Sequence, residues 1–414
     1  MTAAKIAITR SIEETGVRKN LLEDLALKTI YCVGEISLVE LSRSMGLSYR
    51  VVEELFQRLR KEHLCQVTGM TGGTHRIVAT SGGKTRALEL LAHNQYVGPA
   101  PVSLEDYTDR IETQSVRGIR VTPEDVRYAF QEWVLDDETL DRLGVAATSG
   151  RGIFLYGPTG TGKTTIALSL THLFDLDPVW VPYAVEVDGQ IITVYDPVLH
   201  QRIELDADPE QDGRWVKCQR PRMMVGGELT IEMLDLQFNA ATRFYSGPVQ
   251  MKANNGILII DDFGRQRVSP EELLNRWVVP LDRRVDFLTL AGGKKIEIPF
   301  DMLVVFATNL DPARLVDEAF LRRIQTKIKI DPLKPDQFRE VLLRLCLKHD
   351  LEYDPALADE LIRIIVQERG EPLRACYPRD IIQQIRWAAQ YRRERPRLDR
   401  QALEAACNNY FLAV

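Results

Sequence analysis

Apolar positions three and four residues apart mark the start of the chain as helical. Leu21 to Ile30 is one such stretch, and Leu38, Leu41, Leu47, Val51, Leu55 and Leu59 carry the period across a turn at Gly46. The pattern predicts a helix, a turn and a second helix. Residues 65–80, CQVTGMTGGTHRIVAT, then switch to two short strand-like runs around a Gly-Gly turn, and SGGKTRALELLAHN returns to helix. YVGPAPVSLEDY, with its Pro and Gly, reads as a linker. From Gly152 to about Ile330 strands and helices alternate, the pattern of a parallel α/β sheet. From Lys334 onward the chain predicts four helices, each an apolar stripe behind a helix-starting Pro or Asp at 335, 354, 378 and 399. The expected order is therefore a domain at 1–95, a linker at 96–120, an α/β domain at 121–330 and a helical domain at 331–414, with no internal repeat.

Composition agrees with two or three folded domains. Of 414 residues, 45% are hydrophobic and 27% charged, enough apolar material for cores and too much for disorder. The six cysteines form no C-x-x-C pair, which argues against a zinc cluster or a disulfide scaffold. The six histidines show no ligand spacing. No apolar run approaches the ~20 residues that span a bilayer, and the first residues lack an apolar signal core, so a cytoplasmic protein without membrane contact is expected.

Net charge is −6, but residues 1–95 carry 13 Lys and Arg against 10 Asp and Glu. Helices followed by a hairpin resemble the winged-helix modules of bacterial regulators. The segment matching a recognition helix, Ser48 to Leu64, holds Arg50, Arg58, Arg60 and Lys61 against Glu53, Glu54 and Glu62. That excess of +1 is weak for a DNA reader, because phosphate neutralisation supplies most of the affinity. Duplex DNA and a docked protein both stay open as partners of this domain.

Chemistry concentrates further on. GIFLYGPTGTGKTTIALSL places Gly157, Gly162, Lys163 and Thr164 in the G-x-x-x-x-G-K-[ST] spacing, after an apolar strand and before a helix. Glycines let backbone N–H groups curl around phosphates, Lys163 neutralises β/γ charge and the Thr164 hydroxyl ligates Mg²⁺. The nucleotide-binding loop is thus expected over Gly157, Pro158, Thr159, Gly160, Thr161, Gly162, Lys163, Thr164 and Thr165. About a hundred residues later, GILIIDDFGRQ reads as a buried strand ending in two carboxylates, a Walker B pattern. Asp261 is the expected Mg²⁺-shell ligand with Thr164, and Asp262 the group that polarises the attacking water.

GPTGTGKT, LIIDD, VVFATN, FLRRI and PRDII occur in the order that resembles AAA+ ATPases, over about 290 of the 414 residues. The resemblance implies a P-loop α/β domain with a helical lid, bound ATP and Mg²⁺, hydrolysis to ADP and phosphate, and a homo-oligomeric ring, with six subunits as one option. It also implies roles for single residues. Asn309 matches sensor 1, reaching toward the γ-phosphate and water. Arg323 matches the arginine finger acting on a neighbour's ATP, with Arg322 beside it as a second candidate, and Arg379 matches sensor 2. One departure is Asp262, where many members carry Glu; one methylene fewer implies slower or repositioned water activation and leaves switch-like turnover open.

VDFLTLAGGKKIEIPFD, just before VVFATN, alternates around Gly-Gly and reads as a hairpin like that of the pre-sensor-1 superclade. Between the first nucleotide-domain helix and LIIDD lies a β-rich insertion with a turn at Asp188-Gly189, expected as a surface decoration. Phe244 and Tyr245 fall in a loop that would face an oligomer's channel, unless they are core residues. Two functions follow from these features: ATP-driven remodelling of a protein or nucleoprotein partner, or an ATP-controlled DNA-binding switch of the initiator, helicase-loader or transposition-helper kind.

Overall fold

The apolar stripe at the start of the chain lies on a helix, Lys19–Val33, that buries Leu22, Leu25, Ala26 and Ile30. A computed structural model describes residues 5–175, 177–204, 208, 210–315 and 318–411; the outermost expected domain limits, 1 and 414, lie outside the described residues. The chain divides into two compact units. One comprises the residues up to Ile119 with Phe174–Leu258 and Glu272–Leu303, the other Arg120–Leu173, Ile259–Glu271 and the residues from Val304. Each draws on segments far apart in sequence, so both cut across the partition read in chain order.

In the first unit, the helix Leu38–Met45 starts at a capping box in which the Ser37 hydroxyl accepts from Glu40 N–H and the Glu40 carboxylate from Ser37 N–H. It ends at Gly46, whose φ of 64° is the left-handed conformation that lets the chain turn at once into Tyr49–Lys61. Cys65–Thr71 and Thr74–Ala79 pair antiparallel across Gly72 and Gly73, both with positive φ, and Ile36–Ser37 adds a third strand. The helix Ser81–His93 follows.

Two expectations are corrected here. The stretch 96–120 is more than a linker: Val102–Ser103 pairs parallel with Ala184–Val187, the helix Leu104–Thr113 follows, and Val102, Tyr107 and Ile111 are buried. The insertion is more than a decoration. Ala184–Val187 and Gln190–Thr193 form a hairpin over Asp188-Gly189, Val179–Pro182 pairs with Trp215–Cys218, and Trp180, Val185, Ile192, Trp215 and Tyr245 share one core with Leu288, Ile296 and Ile298. Gly46 meets Gly213 so closely that a Cβ there would lie 2.5 Å from the Gly213 carbonyl carbon. Leu288, Ile296 and Ile298 come from the hairpin Val285–Thr289 and Lys295–Pro299, which forms as the alternation predicts.

The second unit holds the parallel strands. Leu303–Thr308, Ile153–Tyr156 and Thr326–Lys329 stand in that order, Ile153–Tyr156 pairing in parallel with both neighbours, and the strand Ile257–Ile260, whose second half belongs to this unit, lies beside Leu303–Thr308. Ile257–Ile260, Leu303–Thr308 and Ile153–Tyr156 read as apolar runs because parallel sheets are covered on both faces, whereas Thr326–Lys329, TKIK, buries only Ile328. The C-terminal residues form the expected helices, Pro335–Lys348, Pro355–Arg363, Cys376–Arg392 and Arg400–Tyr410, around Phe338, Leu342, Leu361, Ile381 and Leu403. No helix among the described residues is long and apolar enough to cross a membrane.

Candidate nucleotide site

Where Ile153–Tyr156 ends, the chain enters a loop whose Gly157, Gly160 and Gly162 all take positive φ (145°, 77° and 91°). At Gly157 the demand is steric as well: a Cβ would lie 2.2 Å from the Ile330 carbonyl oxygen. The loop closes on Lys163, first residue of the helix Lys163–Ser169, whose Nζ donates to the carbonyls of Gly157 (3.0 Å) and Pro158 (2.7 Å). Burial holds the Lys163 ammonium below its usual range, while Asp262 and Asp261 pull it back up. A buried cation whose hydrogen bonds among the described residues go to neutral carbonyls can exchange them for a stronger anionic partner.

The carboxylates arrive from the strand Ile257–Ile260. Thr164 Oγ1 donates to Asp261 Oδ1 at 2.9 Å, and Asp262 is exposed with φ 48°, an uncommon backbone for a non-glycine residue. The turn is fixed by its neighbours: Phe263 N–H donates to Ala307 O (2.7 Å), and Gln266 bridges by donating to Asp261 O (2.7 Å) and accepting from Gly264 N–H (2.8 Å). Phe154 and Phe306 stack on one another, and Phe263 meets both edge-on. Beside the turn, Asn309 Nδ2 lies 3.5 Å from Thr159 Oγ1, and Asn309 Oδ1 is buried without a hydrogen-bond partner, a cost that a ligand or water donor would relieve.

Thr159, Lys163, Thr164, Asp261, Asp262 and Asn309 line a cleft of about 900 Å³ with Trp133, Lys329, Lys334, Arg344 and Cys376. Its size suits a nucleotide. Thr164 and Asp261 are hard oxygen donors of the kind that hold Mg²⁺ with phosphate oxygens and water. Among the described residues there is no group of three or more His, Cys, Asp or Glu that could hold a metal ion by itself. The donor set therefore fits a metal that arrives with a phosphate ligand.

Arg379 sits in the cleft lining, but its side chain is 69% exposed and its Nε and terminal nitrogen both contact Asp380 at 2.8 Å. Arg322 and Arg323 are absent from the lining: Arg322 pairs with Glu318 at 2.8 Å, and Arg323 donates its backbone N–H to Phe320 O. Phe244 and Tyr245 belong to core. The strand Phe244–Ser246 buries Tyr245, whose hydroxyl accepts from Ala291 N–H, while Phe244 packs edge-on against Tyr96. Sequence reasoning missed Gln266 and Cys376. Cys376 N–H donates to Gly160 O at 3.1 Å, and its position one turn before Arg379 was the available signal; Gln266 offered none.

A family model described as a domain of unknown function, DUF8689, matches residues 334–409. The comparison with curated proteins gives no match. Among solved structures, the chain resembles NtrX from Brucella abortus in complex with ADP at 11% identity and a TM-score of 0.42, over 68% of this chain and 56% of that one. It also resembles domain III of the Thermotoga maritima replication initiation protein DnaA (14%, TM-score 0.39, 71% and 100%) and the Thermotoga maritima RuvB Holliday junction branch migration motor (15%, 0.36, 70% of each). The chain spans little more than half the length of NtrX.

Proposed function

We propose that the chain binds ATP with Mg²⁺ at Gly157–Thr165 and hydrolyses it to ADP and phosphate, as an AAA+-type ATPase that remodels a protein or nucleoprotein partner. The observation that carries this reading is the convergence of Lys163, Thr164, Asp261, Asp262 and Asn309 on one cleft. Lys163 exchanges its two carbonyl partners for β/γ-phosphate oxygens, and Thr164 and Asp261 hold the metal. When bound, Mg²⁺ supplies charge neutralisation at the phosphates. Asp262 takes the proton of the attacking water, and the orphan Asn309 oxygen accepts from that water and orients it. Arg379 leaves Asp380 for the phosphates. Arg323, outside its own cleft, completes the site of a neighbour in a ring, the six-membered form being the working option.

In this reading the helices and hairpin between Lys19 and His93 are a winged-helix domain, the parallel strands with the glycine loop are the nucleotide domain, the helices from Pro335 to Tyr410 form the lid, and the protein works in the cytoplasm. The hairpin Val285–Pro299 takes the pre-sensor-1 role. A second reading, the ATP-controlled DNA switch, is favoured by the helix-turn-helix and hairpin at 36–79 with Arg50, Arg60 and Lys61 exposed. Its cationic face is thinner than the sequence count, because Arg58 is held by Glu54 (3.0 Å) and Arg76 by Glu35 (3.1 Å). Steady-state phosphate release with and without duplex DNA separates the two. A remodeller turns over without DNA, whereas a switch responds to it; no release from saturating Mg-ATP under either condition overturns the ATPase itself.

A further inference from the structure

Trp387 and Tyr391 stand one turn apart on the helix Cys376–Arg392, 55% and 90% exposed. Ile381, Ile382, Ile385 and Ala389 already supply the buried face of this helix, so the two rings lie on the opposite, uncovered side. Immediately beyond them the sequence reads RRERPR. Arg392, Arg393, Arg395 and Arg397 are all exposed, and none of the four forms an ion pair among the described residues. From 386 to 400 six arginines meet only Glu394 and Asp399, in a chain whose net charge is −6.

The arrangement is held in place. The helix stops at Arg393, φ 60°, and the chain runs to the next helix at Arg400 with Leu398 inserted into the C-terminal core. Attraction of a cation to a helix C-terminus accounts for Arg392. It accounts neither for three arginines past the helix end nor for two rings left in water, where aromatic side chains of this size cost the most to expose.

We propose that this end of the helix, with the exposed segment that follows it, binds a single strand of nucleic acid, with bases stacked on Trp387 and Tyr391 and phosphates neutralised by Arg392, Arg393, Arg395 and Arg397. Exposed aromatic platforms beside a positive track are the chemistry that grips unpaired strands without reading sequence. A duplex keeps its base faces inside the stack, and an acidic peptide would engage the arginines while leaving the rings unused. The site is separate from the nucleotide cleft and independent of the ATPase reading.

The test uses the full chain and fluorescein-labelled oligo-dT and oligo-rU of about 20 nucleotides, followed by anisotropy across a salt series. Binding is expected to fall with a log–log slope near −3, from about 0.7 per neutralised phosphate for four arginines. Replacing the four arginines by glutamine flattens that slope. Tyr391→Leu and Trp387→Leu each weaken binding by at least about 5-fold, while Tyr391→Phe, which keeps the ring, stays close to wild type. Unchanged thermal midpoints show that the variants fold. Binding of one oligonucleotide and not the other supports the proposal and says whether the strand is DNA or RNA. The proposal is overturned if neither binds at about 50 mM salt, or if a duplex binds as tightly. Equal competition by polyglutamate, or binding lost on Arg50→Glu with Arg60→Glu yet indifferent to Tyr391→Leu, also overturns it.

Discussion

Thr164 Oγ1 and Asp261 Oδ1 meet at 2.9 Å although 97 residues separate them in the chain. This bond joins the helix that follows the glycine loop to the strand that carries both carboxylates, and it brings together the two oxygens proposed to hold Mg²⁺. Asp261→Asn keeps the side chain's shape and removes the charge. Nucleotide affinity in the presence of Mg²⁺ should drop by at least about 10-fold, and chelation with EDTA should change it little further. Titration of a fluorescent ATP analogue with Mg²⁺ or EDTA checks this, and an undiminished response to Mg²⁺ in the variant would place the metal elsewhere.

The loop glycines differ in what they tolerate. A methyl at Gly157 meets the Ile330 carbonyl at 2.2 Å in addition to the strain of φ 145°, whereas nothing lies within 4 Å of a methyl at Gly162, φ 91°. Gly162→Ala should therefore cost about 1–2 kcal/mol from backbone strain, and Gly157→Ala distinctly more. Urea midpoints of the two variants decide the order; equal losses would mean that the contact with Ile330 relaxes freely.

Lys28 gives a pH dependence with a definite sign. It is buried with its Nζ donating to Asn94 O at 3.0 Å, and burial lowers its pKa from 10.5 to about 8 despite the pull of Asp24 and Cys32. Between these values the unfolded chain binds the extra proton, so this group makes stability rise with pH through that window. Below it both states are protonated and the cost of burial stands. From about pH 7.5 to about pH 10, wild type should gain up to about 2 kcal/mol relative to Lys28→Met. Parallel urea midpoints at the two pH values would contradict this.

Arg323→Ala should leave ATP binding intact and reduce turnover by about 10³-fold if the residue completes a neighbour's site. Mixing these subunits with Lys163→Ala subunits should then restore part of the activity, because each mixed interface can pair an intact cleft with an intact arginine. Confirmed mixed oligomers without rescue at any ratio would exclude a role in trans.

The parts of the site legible in the sequence are those fixed by local spacing. Phosphates require glycines and a lysine at set intervals, and a carboxylate pair ending an apolar run marks a sheet edge, so Lys163, Asp261 and Asp262 could be located before their geometry was known. Gln266 could not, since it works through backbone atoms of a tertiary turn, and Cys376 had only its place one turn before Arg379 as a signal, since its N–H meets a distant loop. The misreading at 96–120 has the same cause. Its Pro and Gly content is local, but Val102 is buried by pairing with Ala184–Val187, some eighty residues on. Phe244 and Tyr245 likewise sit in too short a run for periodicity to separate strand from loop.

The central claim is that one cleft both binds and hydrolyses ATP, and a paired measurement of binding and phosphate release tests it most directly. Lys163→Ala should lose most nucleotide affinity, whereas Asp262→Asn should retain affinity close to wild type and lose roughly 10²-fold or more in turnover. Lys163→Ala with wild-type affinity and turnover, or Asp262→Asn with an unchanged rate, would contradict the account.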